Sequence, residues 1–337
     1  MKKIDIAVVG ASGMVGKELL GLLEKRKFPV GKFYPFNSGK RSAEVVFNGG
    51  KYACMAPSAD ALSKAELVFF VSTDEVSEMY ARELASRGVW CIDDSSTFRL
   101  SGDVPLVIPE VNGGALSPDK KLIAGPNCTL TGAAVALAGV HRKYKITELR
   151  MASYQAVSGA GRDAMNQLIN ELKEFAASGK FPSDPGLFPR PMAFNLFPQV
   201  GKFDVNGNCG EENKVCAELK KIWASPEVKI SPLTVRVPVL RGHSLGLWVK
   251  TAEEWTLEEL RDVLNSTDGL KFYEKAEDYP CPLLNGQRTD TVYAGRLRQS
   301  AADPKEFQLW VVSDNLYKGA ALNSVQIAEK LLSDGYL

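Results

Sequence analysis

Cys128 lies in the run Leu122-Ile123-Ala124-Gly125-Pro126-Asn127-Cys128-Thr129-Leu130-Thr131-Gly132, where an apolar segment stops at Gly-Pro and a small-residue helical run begins. That pattern sets a thiol on the first turn of a helix. The unpaired N–H groups and positive dipole end there favour a thiolate over a thiol. A thiolate is a nucleophile; the competing reading is a small buried hydrophobe, the common fate of a free cysteine. Any imidazole partner must be one of only two histidines. His243 sits in Arg241-Gly242-His243-Ser244 just past an apolar strand, a turn suited to a site. His141, in Gly139-Val140-His141-Arg142-Lys143, falls at the basic C-terminal end of a helix and reads as a surface partner of its dipole. If a general base exists, His243 is the better choice. Arg236 interrupts the apolar strand Thr234-Val235-Arg236-Val237-Pro238 and requires a carboxylate, a ligand's or an internal one. Glu218 and Lys221, three apart on a helix, share a face. Arg99 follows Asp93-Asp94-Ser95-Ser96-Thr97-Phe98 and suits either those aspartates or an anion.

A second motif is Gly10-Ala11-Ser12-Gly13-Met14-Val15-Gly16, between the first strand and the first helix. Glycines there permit a tight turn and let backbone N–H groups approach a pyrophosphate at the helix N-terminus. The second strand then ends in Phe36-Asn37-Ser38-Gly39-Lys40-Arg41-Ser42. It offers no carboxylate for a ribose hydroxyl, but two cations. Lys40 and Arg41 with Ser38 suit a 2′-phosphate, so NADP is the expected cofactor; a solvated basic loop is the alternative.

These residues need a scaffold, and the pattern supplies one. Ile4 to Val9, Leu67 to Ser72, Val89 to Asp93, Leu106 to Ile108 and Leu122 to Ala124 read as strands, with helical spacing after Gly13 and from Val76 to Ser86. Strands alternating with helices predict a Rossmann-like, doubly wound parallel sheet. Beyond it, Leu149 to Val157, Leu233 to Val239, Leu245 to Thr251, Thr291 to Leu297 and Phe307 to Val312 read as strands with few helices between, namely 161–177 and 211–223. That predicts an α+β domain with a mixed or antiparallel sheet. Residues 178–209, rich in Pro, Phe, Gly and Asn, read as a long irregular excursion, and 320–332 as an amphipathic helix. The expected division is 1–127, completed by 316–337, and 128–315.

The 337 residues, 45% hydrophobic and 24% charged with net charge +1, fit a two-domain globular protein. They give no electrostatic reason to expect nucleic acid or a membrane surface. No apolar run reaches the length of a membrane span, and the N-terminus enters a strand at once, so a cytoplasmic location is expected. The six cysteines include no Cys-x-x-Cys pair, and neither disulfides nor a metal site are expected.

Taken in order, these runs resemble the aspartate-β-semialdehyde dehydrogenase family. The resemblance spans nearly the whole chain. It adds Val107-Ile108-Pro109-Glu110-Val111-Asn112, Tyr154-Gln155-Ala156-Val157-Ser158-Gly159-Ala160-Gly161, Gly295-Arg296-Leu297-Arg298 and Trp310-Val311-Val312-Ser313-Asp314-Asn315-Leu316. It implies an NADP-dependent, phosphorylating aldehyde dehydrogenase that interconverts aspartate semialdehyde plus phosphate and aspartyl phosphate. The pathway implied is aspartate-family biosynthesis of lysine, threonine, methionine and diaminopimelate. By that resemblance Cys128 is the nucleophile, His243 the acid/base and Gln155 the orienter of a thioester. Arg236 takes the substrate carboxylate and Glu218 its ammonium, while Arg99, Lys221 and Asn127 hold phosphate. The cofactor set is Gly10, Ser12, Gly13, Met14, Val15, Ser38, Lys40, Arg41, Ser72, Ser158, Gly159 and Asn315. A homodimer or tetramer is implied, with the second domain as the interface. Two features depart from the pattern: Ser72-Thr73-Asp74-Glu75 replaces a small-residue turn and brings two carboxylates toward the cofactor phosphates, and Gly125 stands where relatives often have Asn. N-acetyl-γ-glutamyl-phosphate reductase shares the chemistry but not a use for Glu218; a phosphorylating glyceraldehyde-phosphate dehydrogenase fits the cysteine flank poorly. A catalytically inactive nucleotide-binding paralogue is the reading from another class.

Overall fold

The computed structural model describes residues 2–39, 42–184 and 186–337. Two compact units divide the chain, one comprising Met1–Asn127 with Gly319–Leu337 and the other Cys128–Lys318. Lys40 and Arg41 lie outside the described residues.

The first unit is built on a parallel sheet of β1 (Ile4–Val9), β2 (Val30–Phe36), β5 (Leu67–Phe70), β6 (Trp90–Asp93) and β7 (Leu122–Ala124), in the order β2-β1-β5-β6-β7. Most of these strands are continuous apolar runs because helices cover a parallel sheet on both faces. The order reverses at β1, the usual place for a ligand crevice in a doubly wound sheet. The crossover helices are α1 (Met14–Lys25) and α3 (Asp74–Ser86), with a short α2 (Ala59–Leu62) and α4 (Pro109–Asn112). A small hairpin, β3 (Glu44–Phe47) and β4 (Gly50–Ala53), was not predicted by the sequence pattern. Leu106 to Ile108 is not the strand expected: only Leu106 bridges to Ala124, and Pro109 then starts α4.

The second unit is crossed by α5 (Cys128–Tyr144), buried along most of its length. Its six-stranded mixed sheet has the order β11-β12-β13-β10-β8-β9. The strands are β8 (Ile146–Gln155), β9 (Lys229–Arg236), β10 (His243–Thr251), β11 (Leu270–Phe272), β12 (Val292–Gln299) and β13 (Glu306–Ser313). Its other helices are α6 (Arg162–Ser178), α7 (Gly210–Ile222), α8 (Leu257–Asn265) and α9 (Pro282–Asn285).

Between α6 and α7 the chain makes no helix or strand among the described residues, yet it is not loose. Met192, Ala193 and Phe197 join Val157, Ala164 and Leu168 in a small core. The buried Glu171 of α6 accepts the amides of Met192 and Ala193, both at 2.7 Å. Phe197 pairs with Arg236 through two main-chain bonds of 2.7 and 3.0 Å.

The C-terminal helix α10 (Leu322–Ser333) belongs to the first unit. Its Asn323 side chain donates to the Val107 carbonyl at 2.9 Å, and Glu329 pairs with Arg26 at 2.7 Å. Among the described residues no helix is long and apolar enough to cross a membrane.

Candidate active site

Register places the second unit's chemistry. β8 and β9 run parallel with Gln155 opposite Arg236, so both side chains emerge at the C-terminal ends of neighbouring strands. β10 runs antiparallel to β8 and begins with His243 at that same edge. Cys128, the first residue of α5, completes the group: its Sγ lies 3.5 Å from His243 Nε2. Cys128, Gln155, Arg236 and His243 therefore meet because three strand ends and one helix start coincide.

His243 is fully buried, and its Nδ1 accepts the Ala156 main-chain N–H at 3.1 Å. A nitrogen that accepts that bond carries no hydrogen, so the neutral ring is the Nε2–H tautomer, with its donor toward sulfur. Burial, and then the neighbouring Arg236 charge, push the His243 pKa down to about 3. The resting ring is neutral.

Arg236 is buried as well. Desolvation lowers its proton affinity, which Cys128 and Glu211 counter as nearby negative groups. Nη1 donates to the Ala156 carbonyl at 2.7 Å, and among the described residues no carboxylate forms an ion pair with it. The internal salt bridge considered from the sequence is thus not found among the described residues, and the guanidinium keeps donors suited to a carboxylate. Gly159 explains part of this packing. A Cβ there would come within 2.8 Å of Arg236 Nη1 and 3.4 Å of the His243 ring.

Glu218 and Lys221 share a face of α7, Glu218 fully buried and Lys221 half-buried. Ser158 and Asn315 hydrogen-bond each other at 3.0 Å, and Asn315 Oδ1 accepts the Gly242 amide at 2.9 Å. The buried Arg241–Asp314 pair, at 2.7 Å, fixes the same turn immediately before His243. His141 departs from the surface role expected of it. It is half-buried, its ring stacks on Trp223 at 4.9 Å, and its Nδ1 accepts the Ile146 amide.

Three contributors were not found from the sequence: the Ala156 amide, Asp314 and Glu211. Glu211 stands seven residues before Glu218, two helical turns, so both fall on one face. That spacing was the available signal.

In the first unit, a cleft of about 970 Å³ is lined by Gly10, Ser12, Gly13, Ser38, Ser72 and their neighbours, including Lys17. Gly10 has φ +91°, and a Cβ on it would lie 2.4 Å from the Val71 carbonyl oxygen. Only glycine lets the chain turn so close to β5. Met14 and Val15 follow as the first residues of α1, half-buried. The Ser72 hydroxyl is buried with no partner among the described residues. A bare backbone turn, a helix N-terminus and an unspent hydroxyl fit a dinucleotide. The two carboxylates expected to crowd this cleft do not line it. Asp74 accepts both the amide and the hydroxyl of Ser96 at 2.8 Å, while the exposed Glu75 has its pKa lowered first by the Thr73 hydroxyl. Arg99 is buried, with Nη2 donating to the Asp94 carbonyl oxygen at 2.7 Å. Asn127, also buried, ends the first segment of this unit.

Comparison with known proteins adds an independent line. Residues 5–118 match the family model of the semialdehyde dehydrogenase NAD binding domain, and 137–318 that of the semialdehyde dehydrogenase dimerisation domain. Aspartate-semialdehyde dehydrogenase from Shewanella violacea is 38% identical, with 99% of each chain covered. The Aquifex aeolicus enzyme of that name is 37% identical, covering 98% of this chain and 99% of its own. Among solved structures, aspartate semialdehyde dehydrogenase II of Vibrio cholerae, complexed with ASA, superposes with a TM-score of 0.94 at 33% identity over 99% of each chain. The thiol and imidazole of the second unit, and the glycine turn of the first, thus stand in a chain that belongs to the aspartate-semialdehyde dehydrogenase family, oxidoreductases acting on aldehydes.

Proposed function

We propose that this protein interconverts L-aspartate 4-semialdehyde plus phosphate and L-4-aspartyl phosphate, using NADP and a thioester on Cys128. The observation that carries the reading is the Cys128–His243 contact at 3.5 Å, flanked by the paired Gln155 and Arg236. Moving between an aldehyde and an acyl phosphate needs a covalent acyl carrier, and sulfur is a suitable one. In the reductive direction the Cys128 thiolate attacks the acyl carbonyl, the C–S bond forms and phosphate leaves with the electrons of the C–O bond. A nicotinamide, when bound, would supply the hydride for reducing that thioester. The resulting hemithioacetal oxyanion expels the sulfur as thiolate and releases the aldehyde.

Throughout, His243 holds its proton at Nε2, first against sulfur and then against the oxyanion. That is the donor its tautomer provides. Gln155 orients the acyl group. Arg236 binds the α-carboxylate and Glu218 the α-ammonium, a pairing with no purpose for an N-acetylated substrate. Arg99, Lys221 and Asn127 hold the phosphate. Gly10, Ser12, Gly13, Met14, Val15, Ser38 and Ser72 hold the nucleotide, joined by Ser158, Gly159 and Asn315; Lys40 and Arg41 take its 2′-phosphate. The segment matching the family's dimerisation domain supports a homodimer. The pathway is aspartate-family amino-acid biosynthesis.

The test is phosphate-dependent formation of NADPH from aspartate semialdehyde. Turnover is expected with the free semialdehyde and absent with the N-acetylated glutamate homologue. Cys128→Ala should abolish it while NADP binding persists. No turnover with either nicotinamide cofactor would sink the reading.

A further inference from the structure

Glu211, on the first turn of α7, faces the catalytic group although none of the roles above uses it. It is buried, and a single carboxylate oxygen accepts two hydrogen bonds from different elements. The Thr129 hydroxyl donates at 2.8 Å and the Gln155 Nε2 at 3.2 Å. Thr129 is the residue next to Cys128, on the first turn of α5. Gln155 ends β8. The oxygen therefore spans the helix that carries the thiol and the strand that carries the amide.

The second hydrogen of the Gln155 NH₂ goes to Ser153 Oγ at 3.3 Å. With both N–H bonds directed at protein acceptors, the amide has one orientation, and the carbonyl oxygen is what it can offer elsewhere. An ionised carboxylate enforces this because it only accepts; a neutral amide in its place would allow either orientation of Gln155. We propose that Glu211 is a positioning residue for the reaction, bracing the Cys128 end of α5 against Gln155 and fixing the direction of the Gln155 amide. The proposal rests on the catalytic reading of Cys128 given above.

Glu211→Gln keeps the size and an acceptor while removing the one-way character. In the folded variant kcat should fall roughly 10- to 100-fold, as misorientation of a reacting pair does. KM for the semialdehyde should not rise, because Arg236 loses a negative neighbour that competes with the substrate carboxylate. KM for NADP should be unchanged. A merely structural role would lower kcat only in step with the folded fraction. The brace is also read without turnover. In the set Gln155→Ala, Glu211→Ala and the double variant, the losses in Tm should be less than additive. Wild-type kcat in Glu211→Gln, a kcat loss that tracks unfolding, or additive Tm losses would each overturn the proposal. A wild-type protein without turnover would end the functional reading, while the Tm set would still read the brace.

Discussion

His243 shows how little of a histidine's behaviour its residue type decides. An exposed imidazole titrates near neutrality, but burial and Arg236 hold this one at about 3. The sign of the consequence is fixed: the unfolded chain binds a proton near pH 6.5 and the folded one does not. This contribution to stability is complete above pH 6.5 and is lost as pH falls toward 3. Acidification from pH 7 to pH 4 should therefore cost the wild type more Tm than it costs His243→Gln; the same pH slope in both would show the ring is not the source. At this scale much of the grouping at the candidate site was legible. A thiol after Gly-Pro-Asn and an arginine inside an apolar strand are anomalies that demand a reason. The Ala156 amide was not legible, since any residue has one. Glu211 was hidden because an acid on a first helical turn is already explained by the helix dipole.

At the scale of elements, the site is a consequence of strand pairing. Gln155 and Arg236 meet because β8 and β9 are parallel and in register, and a slip of one residue would turn both side chains to the other face. Gly159, in the turn after β8, sets how closely that turn approaches them. Gly159→Ala would put a methyl 2.8 Å from Arg236 Nη1. KM for the semialdehyde should rise roughly tenfold with Tm little changed, measured by steady-state kinetics beside thermal melts. An unaltered KM would mean the guanidinium has room to move. Period and punctuation gave most strands and long helices to within a few residues. They failed at Leu106 to Ile108, where one bridge replaces a strand, and at β3 and β4, whose four-residue strands are too short for alternation to stand out.

At the scale of the whole chain, the units carry different electrostatic loads. In the first, Asp94 is wholly buried, one oxygen accepting from Ser324 and the other without a partner among the described residues. Burial raises its pKa to about 6. The folded state thus holds a proton that the unfolded chain releases near pH 4, so the contribution of this group to stability falls as pH rises from 4 to 6, by ~3 kcal/mol on this shift. Asp94→Asn should flatten that slope and raise Tm at pH 7; a lower Tm there would show that the charged form is being stabilised instead. The division into a nucleotide fold and a mixed-sheet fold was legible because strand–helix alternation stops after α5. The tethering of the excursion was not, because its anchors are a distant carboxylate and main-chain groups. Those anchors make a prediction about evolutionary length variation. Glu171 grips Met192 and Ala193, and Arg236 grips Phe197, with only Phe194, Asn195 and Leu196 between. One inserted or deleted residue in that interval would carry Phe197 out of step with Arg236. Across relatives, gaps should accumulate on either side of 192–197 and spare the interval itself.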